Sequence, residues 1–413
     1  MARLAAAVTT ALINVAERPP IRGPRPALPA PGTARDILVI ELLGGFGDLL
    51  LALPALEALL AAHPRARMRV VTFLPGADLL AADDRLDRVV GVTDHSGGGV
   101  RAAVRAEITR RYPDLAVTTT RHSGIPRLLS DLGVAAVDDL WRGPPPDEAV
   151  DARFVRLLAA DGVIDAASAE LARARSGRLR LTAAERLRGR ASLAEALARP
   201  GTLRGTGPRH LGASGWSAGP PEEGWTTGGH PPVVLIPGAG MAIKQWPADR
   251  WRQLAGRLLA AGWPVARLPS PEPPSAEPAV PRGESRAEPW PPVAVLPTRG
   301  LREAAGMFAA LAERGGLVVG GDTGPCRLAA VMGARTVGLY GPTLATRYGL
   351  HRGWTVDLQG LPGCSVRRPT AITAQECWWS GRCPLDAREP ACLANITVQD
   401  VVDSVHDLRR SSQ

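Results

Sequence analysis

The sequence predicts an α/β protein made of two doubly wound domains, each a parallel sheet covered by helices. Three observations predict it. Short continuous apolar runs, such as residues 36–43 (DILVIELL) and 233–236 (VVLI), have the pattern of strands buried on both faces of a parallel sheet. Helical segments alternate with such runs in two blocks, 36–199 and 233–396. Between the blocks, residues 200–232 are rich in Gly, Pro, Ser and Thr without apolar period, and read as a mobile interdomain linker.

In the first block the expected order is strand 36–43, the glycine turn Gly44, Gly45, Phe46, Gly47, and an apolar helix over 48–62. Strands at 68–73, 88–92, 115–119 and 134–137 follow, spaced by helices near 77–82, 100–111 and 125–132. Helices at 147–160 and 182–198 close the block, the second with a capping box of Thr182 and Glu185. The second block repeats the plan: strand 233–236, helix 247–261, strand 264–268, strand 293–296, helix 301–314, strand 317–319, helix 325–332 and strand 336–340, where the sheet is expected to end. Residues 269–292 are rich in Pro and Glu and read as an exposed insertion. Residues 397–413 are expected as a C-terminal helix, and residues 1–35 as a flexible segment with a Pro-rich tether rather than a secretory signal.

The chain has 413 residues and a net charge of +9, with a sequence pI of about 10.2. That balance suits an anionic or phosphorylated partner. The charge is spread rather than striped, aromatics are 4%, and no zinc-finger or RNA-recognition signature occurs, so nucleic acid is not expected. No apolar run approaches the roughly 18 to 20 residues of a membrane span, which leaves peripheral membrane contact at most. Five cysteines, an odd number, do not describe a secreted disulfide scaffold and point to the cytoplasm. Four of them, Cys364, Cys377, Cys383 and Cys392, lack CxxC spacing and read as buried or free thiols; no metal is expected. Trp378 and Trp379 are read as covers for a core or a domain seam.

One position stands apart chemically. Lys244 is the single lysine in a chain whose Lys and Arg number 49. It sits in a strand, glycine loop, helix unit (residues 233–251, with Gly238 and Gly240 in the loop), the layout that aims backbone N–H groups at an anion. A second such unit is Gly320-Gly321-Asp322-Thr323-Gly324-Pro325, where Thr323 or Asp322 is expected to cap the helix and Gly324 lets a ligand approach the backbone.

Three stretches, 37–64 (ILVIELLGGFGDLLLALPALEALLAAHP), 236–251 (IPGAGMAIKQWPADRW) and 320–343 (GGDTGPCRLAAVMGARTVGLYGPT), together resemble glycosyltransferase family 9, the heptosyltransferases of lipopolysaccharide assembly. The cysteine-bearing tail, residues 377–402, is similar too. The resemblance implies a GT-B fold, two Rossmann-like domains facing across a cleft, and metal-independent, inverting transfer of a sugar from a nucleotide diphosphate. It carries no cofactor; the donor it suggests is ADP-heptose, and the acceptor a glycan, a lipid-linked sugar or a secondary metabolite. On that pattern Asp48 is the general base, in a loop where Gly44, Gly45 and Gly47 leave room for the acceptor, and Lys244 neutralises the leaving diphosphate. The plain reading of Asp48 is a helix-capping carboxylate. Gly238, Gly240, Asp322, Thr323 and Gly324 would hold the donor.

The chain departs from the family's usual Met-His after the DTG-Pro element. Here Cys326-Arg327 stands in its place, and Arg327 is expected to grip phosphate. The family's Gly-Gly-x-x-Glu segment is replaced by Pro269-Ser270-Pro271-Glu272, with Glu272 the expected ribose ligand. A catalytically silent nucleotide-sugar binder and a sugar-nucleotide epimerase are the competing readings. A dinucleotide dehydrogenase is disfavoured because GGFGD is not GxGxxG.

Overall fold

The computed structural model describes residues 26–143, 145, 147–175, 179–198, 230–269, 289–297, 299–386 and 388–410. Glu272, with residues 270–288 of the insertion and 200–229 of the linker, lies outside the described residues.

The first sheet holds β1 (Asp36–Glu41), β2 (Arg67–Phe73), β3 (Leu86–Val92), β4 (Leu115–Thr118) and β5 (Ala136–Val137) in the order β3-β2-β1-β4-β5. Its pairings are all parallel. Helices α1 (Phe46–Ala62), α2 (Gly76–Leu79), α3 (Gly97–Arg110) and α4 (Ile125–Asp131) connect the strands. Next come α5 (Val150–Ala160), α6 (Ala166–Arg175) and α7 (Ala183–Ala198).

The second sheet is also parallel: β6 (Val233–Ile236), β7 (Val265–Arg267), β8 (Ala294–Val295), β9 (Leu317–Gly321), β10 (Arg335–Tyr340) and β11 (Thr355–Gln359), ordered β11-β10-β9-β6-β7-β8. Its helices are α8 (Ala248–Ala260), α9 (Leu301–Glu313), α10 (Gly324–Val331), α11 (Ala345–Tyr348), α12 (Glu376–Ser380), α13 (Ala391–Ala394) and α14 (Val398–Arg410). Both orders are the doubly wound plan, and the architecture is GT-B.

Five elements are not in the sequence reading: β11, α6 and the short helices α11, α12 and α13. The sheet does not end at β10, because β11 adds an edge strand whose five residues are all half-buried and carry no apolar run. Helix α6 is unexpected, since it buries only Ser168, Ala169 and Ala172 along a weak apolar face. The capping box holds: Thr182 Oγ1 accepts from the Glu185 N–H (3.2 Å), and the Thr182 N–H donates to Glu185 (2.8 Å).

Strand residues alternate between two cores, as period 2 requires. Ile37 and Val39 pack toward α1, while Leu38 and Ile40 pack toward α3 and α4. Val233 and Leu235 face α8 and α14, and Val234 and Ile236 face the opposite layer, which is continuous with the α1 side of the first sheet. The two sheets therefore share one apolar layer. Helix α7 packs on α9 so closely that a Cβ on Gly189 would lie 2.1 Å from the Gly306 carbonyl carbon. Beside this crossing Arg302 donates to Glu185 (2.7 Å), to the Leu79 carbonyl (2.7 Å) and to the Arg180 carbonyl (3.0 Å).

Candidate active site

In each sheet the strand order reverses between the first and fourth strands, β1 and β4 in one, β6 and β9 in the other. Loops leaving the carboxyl ends of strands at such a reversal form a crevice. Asp48 follows β1, Lys244 follows β6 and Asp322 follows β9, so three expected site residues lie at these two switch points.

The loops meet across the seam. A Cβ on Gly47 would lie 3.3 Å from Gly324 Cα, and a Cβ on Gly324 would lie 2.5 Å from Phe46 Cζ. Only glycine at 324 lets the Phe46 ring lie against this turn. The contact brings the start of α1 against the start of α10.

Asp48 is the third residue of α1, not its N-cap, which is Gly45. Its N–H donates to the Gly45 carbonyl (2.9 Å), and its carboxylate folds back to where a Cβ on Gly44 would be 2.4 Å from Oδ2. Burial pushes its pKa up to about 6; Lys244 pulls it down, Asp322 raises it, and Arg327 lowers it. Beneath it, at the end of β1, Glu41 is 1% exposed. Glu41 accepts from the Leu43 N–H (3.2 Å) and from Thr72 Oγ1 (3.0 Å). Burial, then the nearby Asp48, push its pKa up to about 8.

The opposite loop is charge-compensated. Lys244, ending a 3-10 turn (Ala242–Lys244), donates to Asp322 Oδ2 at 2.7 Å. Thr343 Oγ1 donates to the same oxygen at 2.9 Å, and the Asp322 N–H donates to the Leu339 carbonyl. Burial works against ionised Asp322, but Lys244 and Arg327 and the two hydrogen bonds hold it below the usual carboxylate range. Thr323 occupies the N-cap of α10 without capping it through its side chain; its hydroxyl turns to the Gly321 carbonyl instead. No side-chain hydrogen bond from its N-cap residue therefore caps the start of α10.

Gly238 and Gly240 lie in the loop before Lys244, with Gly240 exposed and open space where its Cβ would be. Arg327 is buried, and its guanidinium donates to the carbonyls of Gly349 (3.2 Å) and Tyr348. Its charge acts on Asp48 and Asp322 through space, while two of its five donors are engaged by backbone carbonyls. Three neighbours escaped the sequence reading: Glu41, Thr343 and Trp378. Trp378 lies with its ring centroid 5.0 Å from Lys244 Nζ, whereas Trp379 is exposed. The GPT turn after β10 was the only local signal for Thr343. Glu41 had none, and Trp378 had only its place in the tail that resembles the family, where it reads as a cover for a core or a domain seam.

The cysteines are free thiols, and burial pushes Cys377 and Cys392 up to about 11, so these two are poor nucleophiles at neutral pH. Among the described residues no group of three or more His, Cys, Asp or Glu side chains is arranged to hold a metal ion. Likewise no described helix is long and apolar enough to cross a membrane.

Residues 217–360 match Glycosyltransferase family 9 (heptosyltransferase). Over these residues, about a third of its length, the chain is similar to that family. Lipopolysaccharide heptosyltransferase 1 of Pseudomonas aeruginosa is 37% identical over 115 residues, which is 28% of this chain and 30% of the length of that relative. A glycosyl transferase family 9 structure from Veillonella parvula superimposes with a TM-score of 0.62 at 15% identity, covering 91% of this chain and 97% of the other. ADP-heptose LPS heptosyltransferase II of E. coli superimposes with a TM-score of 0.57 at 15% identity, covering 91% and 99%. At that identity the two structures speak for the fold. The family 9 match includes Lys244, Asp322, Thr323 and Gly324, while Asp48 and Trp378 lie outside it.

Proposed function

We propose that this protein is an inverting glycosyltransferase that moves a heptose-like sugar from a nucleotide diphosphate to an acceptor hydroxyl. The observation that carries this reading is the meeting of Asp48, from the first sheet, with the Lys244–Asp322 pair of the second. Asp48, ionised at neutral pH, takes the proton of the acceptor hydroxyl. The freed oxygen attacks the anomeric carbon from the face opposite the leaving group, and the bond from that carbon to the diphosphate oxygen breaks. Negative charge then builds on the diphosphate, where the Lys244 ammonium and the uncapped N–H groups of α10 neutralise it. Asp322 holds Lys244, and Thr323 and Gly324 face the phosphates.

In this scheme cations of the chain do the work a divalent metal would do, so transfer proceeds without a metal. The names of the relatives favour ADP-heptose as donor. The acceptor is a glycan, a lipid-linked sugar or a secondary metabolite, and a cytoplasmic setting suits both a nucleotide sugar and five free thiols. The test is a turnover screen of nucleotide sugars by mass spectrometry, with and without EDTA, using Asp48→Asn as control. The reading expects one donor to be consumed by the parent in both conditions and by the variant hardly at all. Consumption that stops with EDTA overturns metal independence; equal consumption by the variant overturns the base.

A further inference from the structure

Lys244 has more than one partner. An ammonium offers three donors, and the Asp322 carboxylate takes one at 2.7 Å. The indole of Trp378 covers another side at 5.0 Å from its centroid, within the range where a ring quadrupole attracts a cation. The Lys244 side chain keeps 18% of its surface exposed, and through this opening a ligand oxygen can reach the remaining donor.

The segment that carries Trp378 is firmly seated. Arg367, 7% exposed, donates to the Gly341 carbonyl (2.7 Å) and the Gly360 carbonyl (2.8 Å). Gln375, 1% exposed, donates to the Pro342 carbonyl (3.3 Å) and accepts the Arg368 N–H (2.6 Å). The same 341–343 turn supplies the Thr343 hydroxyl to Asp322. One anchored assembly therefore fixes both the carboxylate and the aromatic partner of the lysine, and α12 lies beyond the region that matches the family.

We propose that Trp378 is a positioning residue for Lys244, its ring face holding the ammonium beside Asp322 with one donor turned to the leaving diphosphate. A long flexible side chain loses rotamer entropy when it binds, and a site that has already fixed it binds more tightly. The inference rests on the reading above that Lys244 binds diphosphate.

The experiment is calorimetric titration of inorganic pyrophosphate, which presents a diphosphate without base or sugar, into the parent, Lys244→Ala, Trp378→Phe, Trp378→Leu and Trp379→Leu, each checked by melting temperature. Lys244→Ala is expected to weaken binding tenfold or more and Trp378→Leu three- to tenfold. Trp378→Phe, which keeps a ring face, stays within about twofold of the parent, as does Trp379→Leu. If Trp378→Leu does not fold, Trp378→Met, unbranched and adaptable, takes its place. Parent-like binding by Trp378→Leu alongside a weakened Lys244→Ala overturns the positioning role alone. A Phe variant as weak as the Leu variant overturns it too, because the ring face is then not what acts. No binding by the parent, or parent-like binding by Lys244→Ala, overturns the diphosphate reading itself and the inference with it.

Discussion

The loops after β1 and after β9 each leave the carboxyl end of a strand at the switch point of its sheet, yet they treat their carboxylates in opposite ways. Asp322 is wrapped by Lys244 and Thr343 and held ionised, below the usual carboxylate range. Asp48 is left in a glycine pocket where burial outweighs its cations, and Glu41 beneath it has no cation among the causes acting on its pKa. Under the proposed mechanism the difference is one of role. A carboxylate meant to hold a cation needs a fixed charge, whereas a base needs a pKa near the working pH. The doubly wound scaffold supplies the position, and the local balance of burial and charge sets the chemistry.

The comparison breaks most sharply at Asp48. Asp48→Asn keeps size and removes the base, and is expected to lower turnover by about 10² to 10⁴ while the protein still binds donor. Turnover within a fewfold of the parent at unchanged melting temperature would return Asp48 to a helix-terminal role. Next comes Lys244→Ala, with an expected loss of about 10² in kcat. Because Lys244 holds the Asp48 pKa down, the residual activity of that variant should also show its acid limb at higher pH than the parent, whose rate falls as pH drops through about 6. Coincident acid limbs would mean that the two loops do not sense each other.

Gly324→Ala tests the seam itself. Its methyl meets the Phe46 ring, the two loops must part, and transfer should fall about tenfold with little change in the fold, since misplacements near 1 Å carry costs of that order or more. A parent-like rate would show that catalysis does not require the observed contact.

The remaining effect is on stability rather than turnover, at Glu41. Its folded pKa, about 8, lies above its ordinary value of 4.5. Between those values the folded state keeps a proton that the unfolded chain has lost, so this group makes folding less favourable as pH rises through the window, by up to about 1.4 kcal/mol per pH unit. Glu41→Gln mimics the neutral acid and removes the dependence. Its melting temperature relative to the parent should climb from pH 5 to pH 8 and then level off; a constant difference across that range would place Glu41 among ordinary carboxylates.

Much of this was written in local sequence. Apolar runs of four to eight residues and the glycines that end them specified the strands and both site loops, because a buried parallel strand needs apolar side chains on both faces and a close turn needs glycine. Gly44, Gly47 and Gly324 bear this out, since each faces an atom that a side chain would strike or crowd. A single lysine among arginines marked Lys244, and the resemblance drew attention to Asp48 and Asp322. Tertiary structure alone decided which side chains surround them. Glu41 looks like one more strand residue until burial and Asp48 act on its carboxyl, Trp378 is 134 positions from the lysine it covers, and two donors of Arg327 are turned to the carbonyls of 348 and 349. Period and turn chemistry are local properties of the chain. A pKa, a cation over a ring and a contact across a domain seam depend on what distant residues bring within a few ångströms, and that is settled only when the two sheets pack.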